Sequence, residues 1–223
     1  MWDDFSFEDF HFNSLLIDLP GHGKSENDDE GEPSMDFFSK KVHELLNSLF
    51  IKEFSIVGHS MGGYVALNYK DIYPSKVLKI VLLNSNFWTD SSQKKKDRLR
   101  VAEIVSTNKI FFLREAIPNL FLDKETSYQS IEKLLRAASK MDAFDIAYSS
   151  LAMRGRNNYC ELVNMIGSDL MVIQGDKDEV IPEKKMREMI KDLNLEYRVL
   201  KHTGHMSPFE AKDEVISLLN DYI

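Results

Sequence analysis

Ser60 sits in the pentad Gly58-His59-Ser60-Met61-Gly62, a G-x-S-x-G pattern, and it is the first place where residue type and spacing suggest chemistry. A serine hydroxyl is a weak nucleophile until a neighbouring base takes its proton, so the pentad calls for a histidine and a carboxylate elsewhere. Both occur late in the chain, each just after an apolar run. Gln174-Gly175-Asp176-Lys177-Asp178 carries two carboxylates, and His202-Thr203-Gly204-His205 carries two imidazoles. Serine, then aspartate, then histidine is the order used where a nucleophilic serine stands on a strand-to-helix turn. The bland alternative is a glycine-rich turn whose serine caps a helix. Motif, order and strand-end context together favour a nucleophile, with His205 as its base.

Such a serine needs elements that position it. A strand candidate from Phe54 to Gly58 runs into the pentad, and a helix candidate from Met61 to Tyr73 leaves it, ended by Pro74. This reading gives Gly58 and Gly62 the same steric reason, because a Cβ at either would collide where strand and helix backbones come close. It also places Ser60 in a strained backbone conformation that lifts Oγ clear of the sheet. The backbone N–H of Met61, at the positive end of the helix, then points to where an oxyanion would form.

The remaining elements follow the same grammar. Ser14 to Leu19, Val77 to Leu83, Leu170 to Gln174 and Glu196 to Leu200 read as strands. The near-continuous apolar runs among them fit a parallel sheet covered on both faces. The first is closed by Pro20-Gly21-His22-Gly23, and a polar, acidic loop follows to Pro33. Ser34 caps a helix from about Met35 to Phe50, with Phe38, Val42, Leu45, Leu46 and Leu49 on one face. Pro182 starts a helix running to about Leu193, and Phe209 to Tyr222 forms a closing amphipathic helix. Alternating strands and helices imply right-handed crossovers and an α/β sandwich, whose functional groups gather at the C-terminal strand ends. From about Phe87 to Met165 the pattern is helical with no convincing strand. The chain therefore divides into a first core part at 1–86, a helical insertion at 87–165 and a second core part at 166–223.

Composition narrows the classes. The 223 residues suit one domain with a substantial core. A net charge of −8 disfavours a nucleic-acid partner, and the basic run Lys94-Lys95-Lys96 lies among acids, as a solvated helix face does. The single Cys160 excludes an internal disulfide and a cysteine metal cluster. No apolar run has the length of a membrane span, and Met1-Trp2-Asp3-Asp4 is acidic where a secretory signal is basic, so the expectation is a cytoplasmic chain without a membrane partner.

The stretches Asp18-Leu19-Pro20-Gly21-His22-Gly23-Lys24-Ser25, Gly58-His59-Ser60-Met61-Gly62-Gly63, Gly175-Asp176-Lys177-Asp178 through Pro182, and Gly204-His205 together resemble the α/β-hydrolase fold superfamily of serine esterases and lipases. The resemblance spans nearly the whole chain and is far more specific for fold than for substrate. It implies a mostly parallel sheet sandwiched by helices, with residues after Phe87 as a helical cap and Ala152-Met153-Arg154-Gly155-Arg156 leading back to the sheet. It also implies Ser60, Asp178 and His205 as the catalytic set and Met61 as an oxyanion donor. Asp176 and His202 become bystanders, and Asp18 and His22 shape the rim. No metal or organic cofactor is implied, and the substrate is a small ester or related acyl compound.

The resemblance departs at the amino end. Family members begin with further strands and a His-Gly loop that supplies a second oxyanion donor, whereas Met1 to Phe5 resembles the helix after that loop. The missing strand belongs between Ser14 to Leu19 and Phe54 to Gly58. Backbone groups left unpaired there would cost about 1 to 3 kcal/mol each, against a total stability of about 5 to 15 kcal/mol. The expectation is therefore an amino-terminally shortened hydrolase. Two other readings remain open: carbon–carbon bond cleavage or elimination by the same triad, as in diketone or menaquinone-pathway relatives, and a non-catalytic remnant that binds a ligand or partner.

Overall fold

Alternate residues of a pleated strand face opposite ways, and the apolar runs use both directions. In the computed structural model, which describes residues 1–27 and 31–223 and all side chains among them but that of Phe7, four strands form one parallel sheet in the order β1-β2-β3-β4. They are β1 (Phe54–His59), β2 (Val77–Leu83), β3 (Leu170–Gly175) and β4 (Glu196–Leu200). Ile80, Leu82, Leu170 and Val172 face one side, where they pack with Ala66, Leu67 and Tyr69 of α2 (Met61–Ile72), Val163 of α6 (Cys160–Ile166) and Met186 of α7 (Glu183–Ile190). Val81, Leu83, Met171 and Ile173 face the other, against Val215 and Leu219 of α9 (Lys212–Tyr222) and against Phe5. Each such fully buried aliphatic side chain contributes about 1.5–3 kcal/mol. The result is an α/β layer structure with both sheet faces covered.

Local signals set the helix ends. Ser34 Oγ accepts the Phe37 N–H at 3.2 Å and starts α1 (Met35–Ser48). The chain leaves that helix through Phe50 in the left-handed region, at φ 57°. α7 stops at Ile190, and the residues to Leu193 form a turn closed by Leu193 N–H on the Ile190 carbonyl. The closing helix is two pieces, α8 (Ser207–Glu210) and α9, because Ala211 at φ −143°, ψ 42° is not helical. Among the described residues no helix is long and apolar enough to cross a membrane.

One expected strand is absent. Residues 13–19 belong to no strand, Leu15 and Leu16 are exposed, and β1 lies at the edge of the sheet. An apolar run becomes a strand only when a second backbone lies about 4.8 Å away to bond with it. Ser14 to Leu19 finds none, and Leu19 packs on the cluster of Met35, Phe38 and Tyr64. The acidic loop expected before Pro33 falls partly on residues 28–30, outside the described residues.

Between β2 and β3 the described chain is helical: α3 (Ser92–Ala116), α4 (Tyr128–Lys140), α5 (Ala143–Gly155) and α6, with 3-10 turns at Pro118–Leu120 and Gly167–Asp169. Asn108, at φ −149° and ψ 66°, breaks α3, and its Oδ1 accepts the Phe111 N–H to restart the helix. Leu113, Ile117, Phe121 and Ile131 pack with Met206, which places this segment against the chain just beyond His205. Its two ends are pinned by Arg156. The guanidinium pairs with Asp90 at 2.7 Å, donates to the Trp88 and Met153 carbonyls and lies 4.2 Å over the Tyr64 ring. Arg98 meets the same carboxylate at 3.1 Å. Burial would raise the Asp90 pKa, but the two guanidinium groups hold it below the usual range.

Arg156→Met leaves that carboxylate half-paired in the interior. It lowers the unfolding free energy by about 3 kcal/mol or more in urea denaturation. Arg98→Met, at a more exposed site, costs less, and equal losses would contradict this ranking of the two pairs.

Candidate active site

β1 delivers Ser60 to the start of α2 in a conformation few residues adopt, φ 50° and ψ −115°. Strain of this kind costs on the order of 1–3 kcal/mol and persists only where the surroundings enforce it. Here the Ser60 N–H donates to the Leu83 carbonyl at 3.0 Å, and the Ser60 carbonyl accepts from Gly63 N–H at 3.0 Å and Ser85 Oγ–H at 2.7 Å. A Cβ on Gly58 would lie 2.4 Å from the Gly62 carbonyl oxygen, as expected. The expectation for Gly62 is corrected, because a Cβ there would meet nothing within 4 Å. Gly63 is the second tight position, its Cβ falling 2.3 Å from Ser85 Oγ. Each helical residue turns the side-chain direction by about 100°, so it is Gly63 that faces the sheet.

Met61 is the first residue of α2, so its N–H has no acceptor within the helix and stands at the positive end of the helix dipole.

The structure brings Ser60, His205 and Asp178 together. His205 Nε2 lies 2.9 Å from Ser60 Oγ, and His205 Nδ1 lies 2.9 Å from Asp178 Oδ2. An ionised carboxylate only accepts, so Nδ1 carries the proton and Nε2 offers its lone pair to the Ser60 hydroxyl. His205 and Asp178 are buried, whereas Ser60 keeps partial exposure. Asp178 Oδ2 also accepts from Asn84 Nδ2 at 3.0 Å and Gln174 Nε2 at 2.8 Å, and Oδ1 accepts the N–H groups of Val180 and Ile181, each at 2.9 Å. Burial would raise the Asp178 pKa; His205 and these donors hold it below the ordinary carboxylate value.

Asp176 turns away and accepts the Thr203 N–H, and His202 is exposed at a left-handed turn, φ 53°. Asp18 and His22 bond within their own loop, to Lys24 N–H and the Pro20 carbonyl. Sequence reasoning missed three polar residues that hold the site. Asn84, left-handed at φ 45° after β2, bridges Asp178 to the Gly204 carbonyl and accepts from Ser207 Oγ–H. Its signal is an amide directly after an apolar strand, at the end where functional groups collect. Glu210 accepts three backbone N–H groups around His205, and His59 Nε2–H donates to the His205 carbonyl at 2.8 Å. Nothing in their spacing marks them.

Burial and the neighbouring imidazole push the His59 pKa from 6.5 down to about 3. The unfolded chain therefore takes this proton first as pH falls, and the stability due to neutral His59, full above 6.5, is lost toward about 3. His59→Gln can still donate to the His205 carbonyl but does not titrate. Its unfolding midpoint falls less steeply with pH over that window than that of the wild type, and parallel slopes would contradict the assignment.

Known proteins resemble this chain over most of its length. It is 29% identical over 90% of its length to the dihydrolipoyllysine-residue acetyltransferase component of an acetoin cleaving system from Pseudomonas putida, spanning 53% of that protein, about half. It is 23% identical over 98% of its length to a 2-hydroxy-6-oxononadienedioate/2-hydroxy-6-oxononatrienedioate hydrolase from Paraburkholderia phymatum, spanning 78% of that protein. The solved structure of a thermophilic esterase from Thermogutta terrifontis superposes with a TM-score of 0.83 at 26% identity, covering 92% of this chain and 77% of that one. A family model described as alpha/beta hydrolase fold matches residues 3–212, nearly the whole sequence. The chain belongs to the alpha/beta hydrolase fold family.

Proposed function

We propose that the protein is a serine hydrolase, carboxylesterase-like, that cleaves a small carboxylic ester or related acyl compound through an acyl-enzyme on Ser60. The hydrogen-bonded line Ser60 Oγ, His205 Nε2, His205 Nδ1, Asp178 Oδ2 carries this reading. Ser60 Oγ attacks the acyl carbon as its proton passes to His205 Nε2, and Asp178 stabilises the imidazolium. The carbonyl oxygen, now an oxyanion, takes a hydrogen bond from the Met61 N–H. The tetrahedral centre collapses, the C–O bond to the leaving alcohol breaks, and Nε2–H protonates that alcohol. Water then repeats the sequence on the acyl-serine and releases the carboxylic acid. The helical segment at 87–165 acts as a cap over this end of the sheet, between core parts at 1–86 and 166–223. The reaction needs no metal or organic cofactor.

A second reading, hydrolysis of a carbon–carbon bond in a vinylogous diketone, is favoured by the Paraburkholderia phymatum relative, whose match covers nearly the entire chain. The same three residues serve both reactions, so substrate competition separates them.

Purified protein turns over p-nitrophenyl acetate or butyrate faster than a vinylogous diketone. Ser60→Ala lowers kcat by about 10⁶-fold and Asp178→Asn by about 10⁴-fold, with the circular dichroism spectrum unchanged. Turnover by Ser60→Ala at the wild-type rate would refute the reading, and a marked preference for the diketone would select the second one.

A further inference from the structure

The loop that carries His205 is held from outside the triad by one carboxylate. Glu210, the last residue of α8, turns back over the loop, and its Oε2 accepts the N–H groups of Gly204 and Met206, each at 3.1 Å. These N–H groups belong to the residues on either side of His205. Its Oε1 accepts the Leu122 N–H at 2.7 Å, and the His205 N–H itself donates to the Leu120 carbonyl at 3.0 Å. The stretch Leu120–Leu122, which belongs to the helical segment, is thus tied to the His205 loop by two hydrogen bonds, one direct from His205 and one through Glu210, whose other oxygen holds the loop itself.

The approach is close enough to constrain the sequence. A Cβ on Gly204 would lie 2.9 Å from the Leu122 nitrogen and 3.1 and 3.2 Å from the two Glu210 oxygens. Among the described residues no ion pair involves Glu210; burial, reinforced by Asp178, raises its pKa, and only the three N–H groups pull the other way. A partly buried carboxylate without a counter-ion is costly, and here its three hydrogen bonds all go to backbone N–H groups, two of them on the residues flanking His205.

We infer that Glu210 is a positioning residue for His205: its carboxylate sets the reach of the imidazole to Ser60 and, through Leu122, ties that reach to the seating of the helical segment. The inference rests on the proposed proton transfer from Ser60 to His205. It assigns Glu210 to the proton-transfer step and not to substrate affinity.

Glu210→Gln is close in size and keeps one acceptor, but its NH₂ group faces donors, so at least one of the three bonds is lost. In the folded variant kcat on a p-nitrophenyl ester falls roughly ten- to a hundredfold, as a misplacement of about an ångström produces, while KM changes less than about twofold. Proton NMR gives a readout that needs no turnover: the low-field Nδ1–H resonance of His205 is present in the wild type and broadened or lost in Glu210→Gln. Glu210→Asp, which keeps the charge, restores part of both signals. An unchanged resonance together with an unchanged kcat in folded Glu210→Gln would overturn the inference. Should that variant not fold, Gly204→Ala forces the same contacts apart and lowers kcat at constant KM; unaltered kcat there would overturn it equally. If a fluorophosphonate fails to label Ser60 in the wild type, the proposed reaction fails, and the resonance still decides the role of Glu210.

Discussion

The Asp178 carboxylate gathers five hydrogen-bond donors, and the rest of the site is arranged so that it can. A charge this deeply buried is tolerated only when its lone pairs are filled, and the five donors come from four places in the fold. Asn84 follows β2, Gln174 is the next-to-last residue of β3, the Val180 and Ile181 amides belong to the loop after β3, and His205 follows β4. Parallel strands in consecutive order are what bring these three strand ends to one edge. Because the carboxylate cannot donate, it also fixes which nitrogen of His205 bears the proton, and so which one faces Ser60.

The strained Ser60 is the counterpart of that network on β1. Its backbone is clamped by Leu83, Gly63 and Ser85, and the missing side chains at Gly58 and Gly63 let α2 lie close enough for the clamp to close. β2 serves both halves, bonding Ser60 through Leu83 and Asp178 through Asn84. Oγ and Nε2 are therefore brought within hydrogen-bonding distance by rigid elements, with loops supplying only the last residues. Arg156 and Asp90 anchor the base of the helical segment, and Leu120 and Leu122 anchor its far side against His205. The segment is pinned at both places.

Much of this was legible in the sequence where residue type, spacing and context reinforced one another. The apolar runs of β2 and β3 read as doubly covered strands, and Ser60, Asp178 and His205 were found through motifs in the right order. Legibility failed where structure is a relation between distant backbones. Ser14 to Leu19 has the composition of a strand, but strandedness needs a partner, and no local pattern reports one. Gly62 and Gly63 are equivalent in a string of letters and differ only by the rotation of the helix. Asn84, His59 and Glu210 are single polar residues with no periodicity. Their roles exist only once β2, the elbow and α8 have been folded around His205.

The central claim is that Ser60 is the nucleophile and His205 the group that relieves it of its proton. The most direct test is acid quenching of the enzyme within its first turnovers of p-nitrophenyl acetate, followed by mass spectrometry of the digested protein. The account requires an acetyl group on the peptide containing Ser60, and much less of it when His205 is replaced by alanine. Steady turnover with no acyl group on Ser60, or with the acyl group on another residue, would contradict it.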